Sequence, residues 1–287
     1  MAMFDFQDHG DLISPVLLVA FEGWVSAGSA GTATAEFFAE KGRPLGTLDP
    51  DMLFDYRANR PTVDFVDGVM SDIEWPELTL ARSSADGRDL LVLYGTEPNW
   101  NWRLLGAEVA TFSEQVGVTE LVSLGGVPWA TPHTRPTSII MTASDSARLV
   151  EDVDRPSGRL RVPAAAANVV ESYLTARGIP ATGFWARVPH YIGTTYYPAV
   201  AALVERVCVH LGVALDHDGL LDLASEQIQQ LDAILEVRGE AKAMVEQLET
   251  LVDGSDGTTG EELASEIERF LRDQTSGSGP GFGDDGS

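Results

Sequence analysis

Cations are what this sequence is short of. It sets 19 Lys and Arg against 44 Asp and Glu, for a net charge of -25 over 287 residues. Only Lys41 and Lys242 are lysines, a bias we read as the coding composition of a GC-rich genome. A nucleic-acid partner needs cations to replace counterions along its phosphates, and a polyanion repels it. An anionic membrane surface is excluded on the same ground. There is one cysteine, Cys208, so no intrachain disulfide can form. Cys208 lies in the apolar helical run Ala202–Leu211 and reads as a small core residue, not a nucleophile. No stretch approaches the ~20 apolar residues of a membrane helix. The start, Met1 to Leu12, has neither a positive n-region nor an apolar h-region, so the expected compartment is the cytoplasm.

Catalytic signatures are missing too. No GxSxG places a serine on a nucleophile elbow. No HExxH, CxxC or EF-hand loop occurs. His9, His133, His190, His210 and His217 have no metal-ligand spacing. Neither a metal nor a cofactor is expected.

What is present is an alternation of short apolar runs and helical stretches. Pro15–Phe21, Leu90–Tyr94, Glu120–Leu124, Ser138–Thr142 and Gly183–Val188 read as strands, several of them continuous apolar runs that suit burial on both faces. Helices are expected over Ala27–Lys41, Trp102–Val116, Asp145–Glu151, Ala164–Arg177 and Pro198–Leu211. Thr62–Val66 and Glu77–Arg82 look like antiparallel strands. The expectation is a three-layer α/β domain over 1–215 with a mostly parallel sheet.

The chain then changes character. Residues 216–287 hold 18 acidic and 4 basic side chains, more than half of the charge excess. Ala224, Ile228, Leu231 and Leu235 recur at helical spacing, as do Ala241, Val245, Leu248 and Val252, with a break at Gly239. This apolar stripe must be covered by the parent domain or by a neighbouring subunit. A further amphipathic segment carries Leu263, Ile267, Phe270 and Leu271. We read 216–275 as an acidic helical appendage and 276–287, rich in Gly and Ser, as a disordered tail.

Ligands of open parallel sheets bind outside the carboxyl ends of the strands, so the loops there are the candidates. The first carries Glu22, Gly23, Trp24 and Gly28. Gly23 and Gly28 have the spacing of a phosphate-cradling loop, but Ser29 and Ala30 replace the Lys and Ser/Thr that should follow. Close packing is therefore favoured over nucleotide binding. The second loop carries Gly95, Glu97 and Pro98 before Trp100 and Trp102, whose expected role is packing. The third runs from Gly125 and Gly126 through three prolines to His133 and Arg135. Those two either meet an anion, or Arg135 pairs with an acid such as Glu22 or Glu97 to brace the loops. The fourth carries Arg187, His190 and Tyr191, which pack locally or add an imidazole to a pocket with Glu22, Glu97 and His133.

Taken in order, Phe21-Glu22-Gly23-Trp24 with Ala27-Gly28, Gly95-Thr96-Glu97-Pro98, Pro132-His133-Thr134-Arg135-Pro136 and Val188-Pro189-His190-Tyr191 resemble the proteasome assembly chaperone family. The likeness is to actinobacterial-type homologues of the second assembly chaperone and covers 15–211. The resemblance implies a phosphorylase/hydrolase-like fold and self-association into a homo-oligomer. Some members dock on the proteasome through a C-terminal hydrophobic–Tyr–any tripeptide, which Asp285-Gly286-Ser287 does not match. Two functional readings follow. One is a non-enzymatic, chaperone-like protein with a protein partner. The other is a binding protein or enzyme for a small nucleoside-like or carboxylate ligand in the strand-end cleft.

Overall fold

The computed structural model describes residues 10–254. The segment carrying Leu263, Ile267, Phe270 and Leu271 and the Gly/Ser-rich end lie outside the described residues. The strands among the described residues are β1 (Val16–Phe21), β2 (Arg43–Thr47), β3 (Thr62–Val66), β4 (Val69–Glu74), β5 (Leu78–Ala85), β6 (Arg88–Gly95), β7 (Glu120–Trp129), β8 (Ile139–Ala143) and β9 (Ala181–Pro189). The helices are α1 (Ala30–Ala39), α2 (Pro50–Leu53), α3 (Trp102–Val116), α4 (Ala166–Thr175), α5 (Tyr197–Leu211), α6 (Asp218–Val237) and α7 (Gly239–Asp253). Seven strands hydrogen-bond in the order β2-β5-β6-β1-β7-β9-β8, and β3-β4 form a ribbon of their own. The fold is α/β, with a mostly parallel, mixed central sheet flanked by helices and further helices at the C-terminal end.

The sheet centre follows from composition. Every residue of β1, Val-Leu-Leu-Val-Ala-Phe, is buried. It pairs in parallel with β6 (Val16 opposite Leu90) and with β7 (Val16 opposite Glu120), so no side of it faces water. Antiparallel pairing begins at β5–β6 and β2–β5 on one side and at β8–β9 on the other. β2 contains Pro44 and Gly46 and was not anticipated; as the last strand in the order it has an edge where a proline is tolerated.

The chain divides into two compact units. One comprises residues up to Gly23, Ala35–Ser123 and Ala164–Ala181. Its core gathers Leu17, Val19, Leu91, Leu93, Val109, Leu121, Val170 and Leu174 with their neighbours. The other comprises Trp24–Thr34, Leu124–Pro163 and the chain from Thr182 onward. There α5 ends at Gly212, which takes the left-handed conformation that closes helices. Cys208 is buried, as expected of a core residue. No described helix is long and apolar enough to cross a membrane.

One expected helix is absent. Over Asp145–Glu151 the chain makes a single 3-10 turn, Ser146–Arg148. Asp145 caps it by accepting from the Ala147 N–H at 2.8 Å, and Leu149 is already extended. The first loop also differs from its expected helical start. Ala27–Ser29 is a short 3-10 turn, and the α-helix begins at Ala30.

The helical stripe near the C-terminus is legible residue by residue. Ala224, Ile228, Leu231, Leu235, Ala241 and Val252 are half-buried, and Val245 and Leu248 are buried. The break falls at Arg238, whose extended backbone separates α6 from α7.

Candidate functional site

The expected site residues fall into groups within each unit. In the first unit β1 and β6 end side by side, and the loops after them interlock. The Glu22 N–H donates to the Gly95 carbonyl at 2.8 Å, and the Thr96 hydroxyl donates to Glu22 Oε2 at 3.0 Å. Gly23 has a φ of +131°, and a Cβ there would stand 2.5 Å from Glu97 Oε2, so only glycine admits the carboxylate. Glu97 Oε1 accepts the N–H of Ala166 at 2.7 Å, at the first residue of α4. A carboxylate at that end satisfies an orphan donor and complements the helix dipole. Burial pushes the Glu97 carboxyl above its usual range, and the Ala166 N–H offsets part of this. Glu36 is also raised, by burial and by the negative charge of Glu22. Pro98 is buried, and its carbonyl accepts from the Trp102 indole N–H. Trp102 packs on the core, while Trp100 stays exposed.

In the second unit the half-buried Trp24 opens the segment that carries Gly28. The Gly28 carbonyl accepts the Tyr196 N–H at 2.9 Å. Ser26 bridges to Gly126, where a Cβ would lie 2.2 Å from the Ala27 carbonyl oxygen. Beside it, Gly125 faces the Trp185 ring. These are a backbone hydrogen bond at Gly28, backbone packing at Gly126 and packing of backbone on a ring at Gly125.

His133 and Tyr191 meet in the interior. His133 is 3% exposed. Its backbone N–H donates to the Tyr191 hydroxyl at 2.8 Å, and its Nδ1 lies 2.7 Å from the same oxygen. The hydroxyl has one proton to give. Donating it to Nδ1 leaves the ring proton on Nε2, which faces Asp232 Oδ1 of α6 at 3.3 Å. Burial lowers the His133 pKa, against the pull of Asp232 and Glu249. Burial also pushes the Tyr191 phenol up to about 12.

Arg135 does not pair with Glu22 or Glu97. Its guanidinium grips α7: Nε and Nη2 donate to Asp253 Oδ1 and Oδ2 at 3.0 and 2.7 Å, and Nη1 donates to Glu249 Oε1 at 3.1 Å. Thr134 donates its hydroxyl to the same Glu249 oxygen. The bidentate fork is the strong geometry for this pair. It holds the Asp253 carboxyl below its ordinary value. Tyr191 packs with Val245 and Leu248, and Ala130, Ile192, Leu235 and Met244 surround them. Arg187 is buried, donates to Ser138 and Asp154, and lies over the Trp129 ring.

His190 is exposed, with its N–H on the Trp129 carbonyl at 3.2 Å. It borders a cavity of about 530 Å³ shared with Tyr191, Arg238, Glu240 and Met244. No group of acids, histidines and cysteines able to hold a metal ion occurs among the described residues.

The partners of the third and fourth loops therefore come from α6 and α7. Residues 20–235 match the PAC2 family. The chain belongs to the PAC2 family. A structure of a Mycobacterium tuberculosis protein of unknown function is 29% identical, covers 95% of this chain and 96% of its own, and superposes with a TM-score of 0.85. A Mycobacterium tuberculosis proteasome-assembly chaperone homologue is 31% identical over 76% of this chain and 94% of its own, with a TM-score of 0.71. A PAC2 family protein from Streptomyces avermitilis is 30% identical over 82% of this chain and 99% of its own, with a TM-score of 0.70. No curated protein matches the chain.

Sequence reasoning missed Asp232, Glu249 and Asp253. They flank the apolar stripe it did identify, and the unusual Thr134-Arg135 pair in a proline-rich loop was the other half of the signal.

Proposed function

We propose that this PAC2 family chain is a non-enzymatic, chaperone-like interaction protein of the cytoplasm, acting as a homo-oligomer on a protein partner. One observation carries the reading. The polar groups of His133, Thr134, Arg135 and Tyr191 are engaged by one another and by Asp232, Glu249 and Asp253 of α6 and α7. An imidazole that is 3% exposed, with a phenol on Nδ1 and a carboxylate facing Nε2, suits a brace better than a general base open to substrate. In this reading 216–275 is an appendage to 1–215, and its α6 and α7 brace the loops that carry His133, Arg135 and Tyr191. The proteasome-assembly chaperone homologue among its relatives makes proteasome subunits the first partner to test. The experiment is a pull-down with the full chain from the cytoplasm of a proteasome-bearing actinobacterium. Specific recovery of proteasome subunits is expected; recovery of no specific partner would overturn the reading.

The cavity beside His190 supports the second reading, a small-ligand site, because Arg238 and Glu240 stand at an apolar wall. A thermal-shift screen with nucleosides and carboxylates tests it, since a ligand that binds the native state raises its stability. No shift with any of them would remove it.

A further inference from the structure

Basic side chains are scarce in this chain, yet four of its 19 gather at one place. Lys41, Arg43, Arg82 and Arg88 line a cavity of about 490 Å³, with Asp89 as the one carboxylate among the lining residues. The cavity belongs to the first unit. It lies where β6 begins, at the end of the sheet away from the loops that carry Glu22 and Glu97.

Local structure builds it. α1 ends at Ala39, and the turn into β2 carries Lys41 and Gly42. A Cβ on Gly42 would stand 2.5 Å from the Arg82 carbonyl oxygen, so the missing side chain lets this turn close on β5. β2 then begins at Arg43, directly opposite Arg82. Ser83 and Ser84 lie past that point, where β5 pairs with β6 and no longer with β2. Consecutive strand residues alternate faces, so a cavity lined by Arg82, Ser83 and Ser84 runs along the edge of β5 and takes groups from both faces. The Asp86-Gly87 turn, with φ of 47° and 78°, closes the β5–β6 hairpin and returns the chain at Arg88.

The lining carries more positive than negative charge. Asp89 is already engaged: Oδ1 accepts from Arg82 Nε at 2.7 Å, and Oδ2 accepts the Ile13 N–H at 2.7 Å. Arg88 reaches Glu120 at 4.0 Å, the outer limit of an ion pair. Arg43 and Arg82 share a face as register partners, and like charges directly opposite on paired strands repel. A second observation points to a ligand. Ser83 is 9% exposed, and its hydroxyl has no hydrogen-bond partner among the described residues. A buried hydroxyl without a partner is costly, and this one stands in the wall of a cationic cavity.

We propose that this cavity binds a small molecule carrying more than one phosphate group. Guanidinium forks match phosphate oxygens, and Lys41 adds a compact charge. The Ser83 and Ser84 hydroxyls donate to the same oxygens. An anion beside Arg43 and Arg82 relieves their repulsion. The volume is that of a small-molecule site. The lining has neither an aromatic ring to stack on a base nor an amide side chain to read one, so recognition falls on the phosphates. A chain of net charge -25 repels free anions as a whole, so uptake of a polyanion requires a local site of this kind. The proposal is independent of the function proposed above, since none of these residues belongs to the loops held by α6 and α7.

The test is calorimetric and thermal-shift titration of the full chain with inorganic pyrophosphate at about 0.15 M salt, with citrate as the carboxylate control. One site per chain is expected, with citrate at least about tenfold weaker. Lys41→Ala with Arg43→Ala should weaken pyrophosphate by at least about tenfold, the worth of a charge-assisted hydrogen bond, and keep the fold, because both side chains are exposed. Ser83→Ala should weaken it about threefold without lowering the melting temperature of the free protein, whose hydroxyl has no bond to lose. It also serves if the double variant does not fold. Pyrophosphate that gives neither heat nor a rise in melting temperature overturns the inference. So does native affinity in either variant, and so does citrate bound as tightly as pyrophosphate.

Discussion

Tyr191→Phe removes one oxygen and unmakes the junction between the third and fourth loops. The hydroxyl is a hub. It accepts from the His133 N–H at 2.8 Å and meets Nδ1 at 2.7 Å, and both residues are buried. Phenylalanine keeps the ring and its contacts with Val245 and Leu248, so the transfer energy barely changes. What changes is that a backbone donor and a ring nitrogen lose their partner in the interior. Each such orphan costs about 1–3 kcal/mol. With some relief from a ring shift, the sum is about 2–4 kcal/mol, or a fall of about 5–12 °C in melting temperature for a protein of this size. Tyr56→Phe is the control, because its hydroxyl donates to Asp51 at the exposed surface and its loss should stay within about 0.5 kcal/mol. The assay is thermal and urea unfolding of both variants followed by circular dichroism. A Tyr191→Phe protein as stable as Tyr56→Phe would show that the hydroxyl is replaceable by water and refute the reasoning.

Leu248→Ala should cost about 2–3 kcal/mol, the lower part of the range for a buried leucine, because the cluster around it is small and partly open; a loss below about 0.5 kcal/mol would mean that α7 is not seated as described. Arg135→Ala should speed amide exchange in 244–253, since Glu249 and Asp253 lose their shared cation; unchanged exchange in that stretch would refute the bracing role. His133 gives a pH dependence. Its folded pKa lies below the ordinary 6.5, so the unfolded chain takes up the proton first. Stability is then full above about pH 6.5 and falls as pH drops through the folded value. Urea midpoints from about pH 7 to 5.5 should fall more steeply in the native protein than in His133→Gln; equal slopes would refute the assignment.

Much of the framework is legible because burial and period are local properties. Val16–Phe21 reads as an interior strand from six apolar residues in a row, and its flanking by β6 and β7 explains why no polar position interrupts it. The eight stripe residues of α6 and α7 announce their covered face through spacing alone. The failures have equally local causes. β2 hides behind Pro44 and Gly46, which oppose a strand everywhere except at an edge. Asp145–Glu151 has helical composition, but the Asp145 cap closes a single turn and the chain leaves it at Leu149. The site was the least legible part. His133 meets Tyr191 across 58 residues and Arg135 meets Asp253 across 118, and neither distance leaves a pattern in one sequence.

These long-range pairs also change the meaning of the charge. A surplus of carboxylates looks like a solvated surface, worth little to stability one residue at a time. Here three of them, Asp232, Glu249 and Asp253, face the cation or imidazole of one loop. Placed on two helices that share an apolar stripe, they choose the register in which that stripe is covered. The apolar side chains supply the drive, since burying them is favourable in many alignments. The bidentate Arg135–Asp253 fork and the His133–Asp232 contact are made in one alignment only, because each needs its partner within reach of the loop. The scarcity of cations sharpens this choice. With few basic side chains available, an acidic helix shifted by one turn would lose the fork on Arg135.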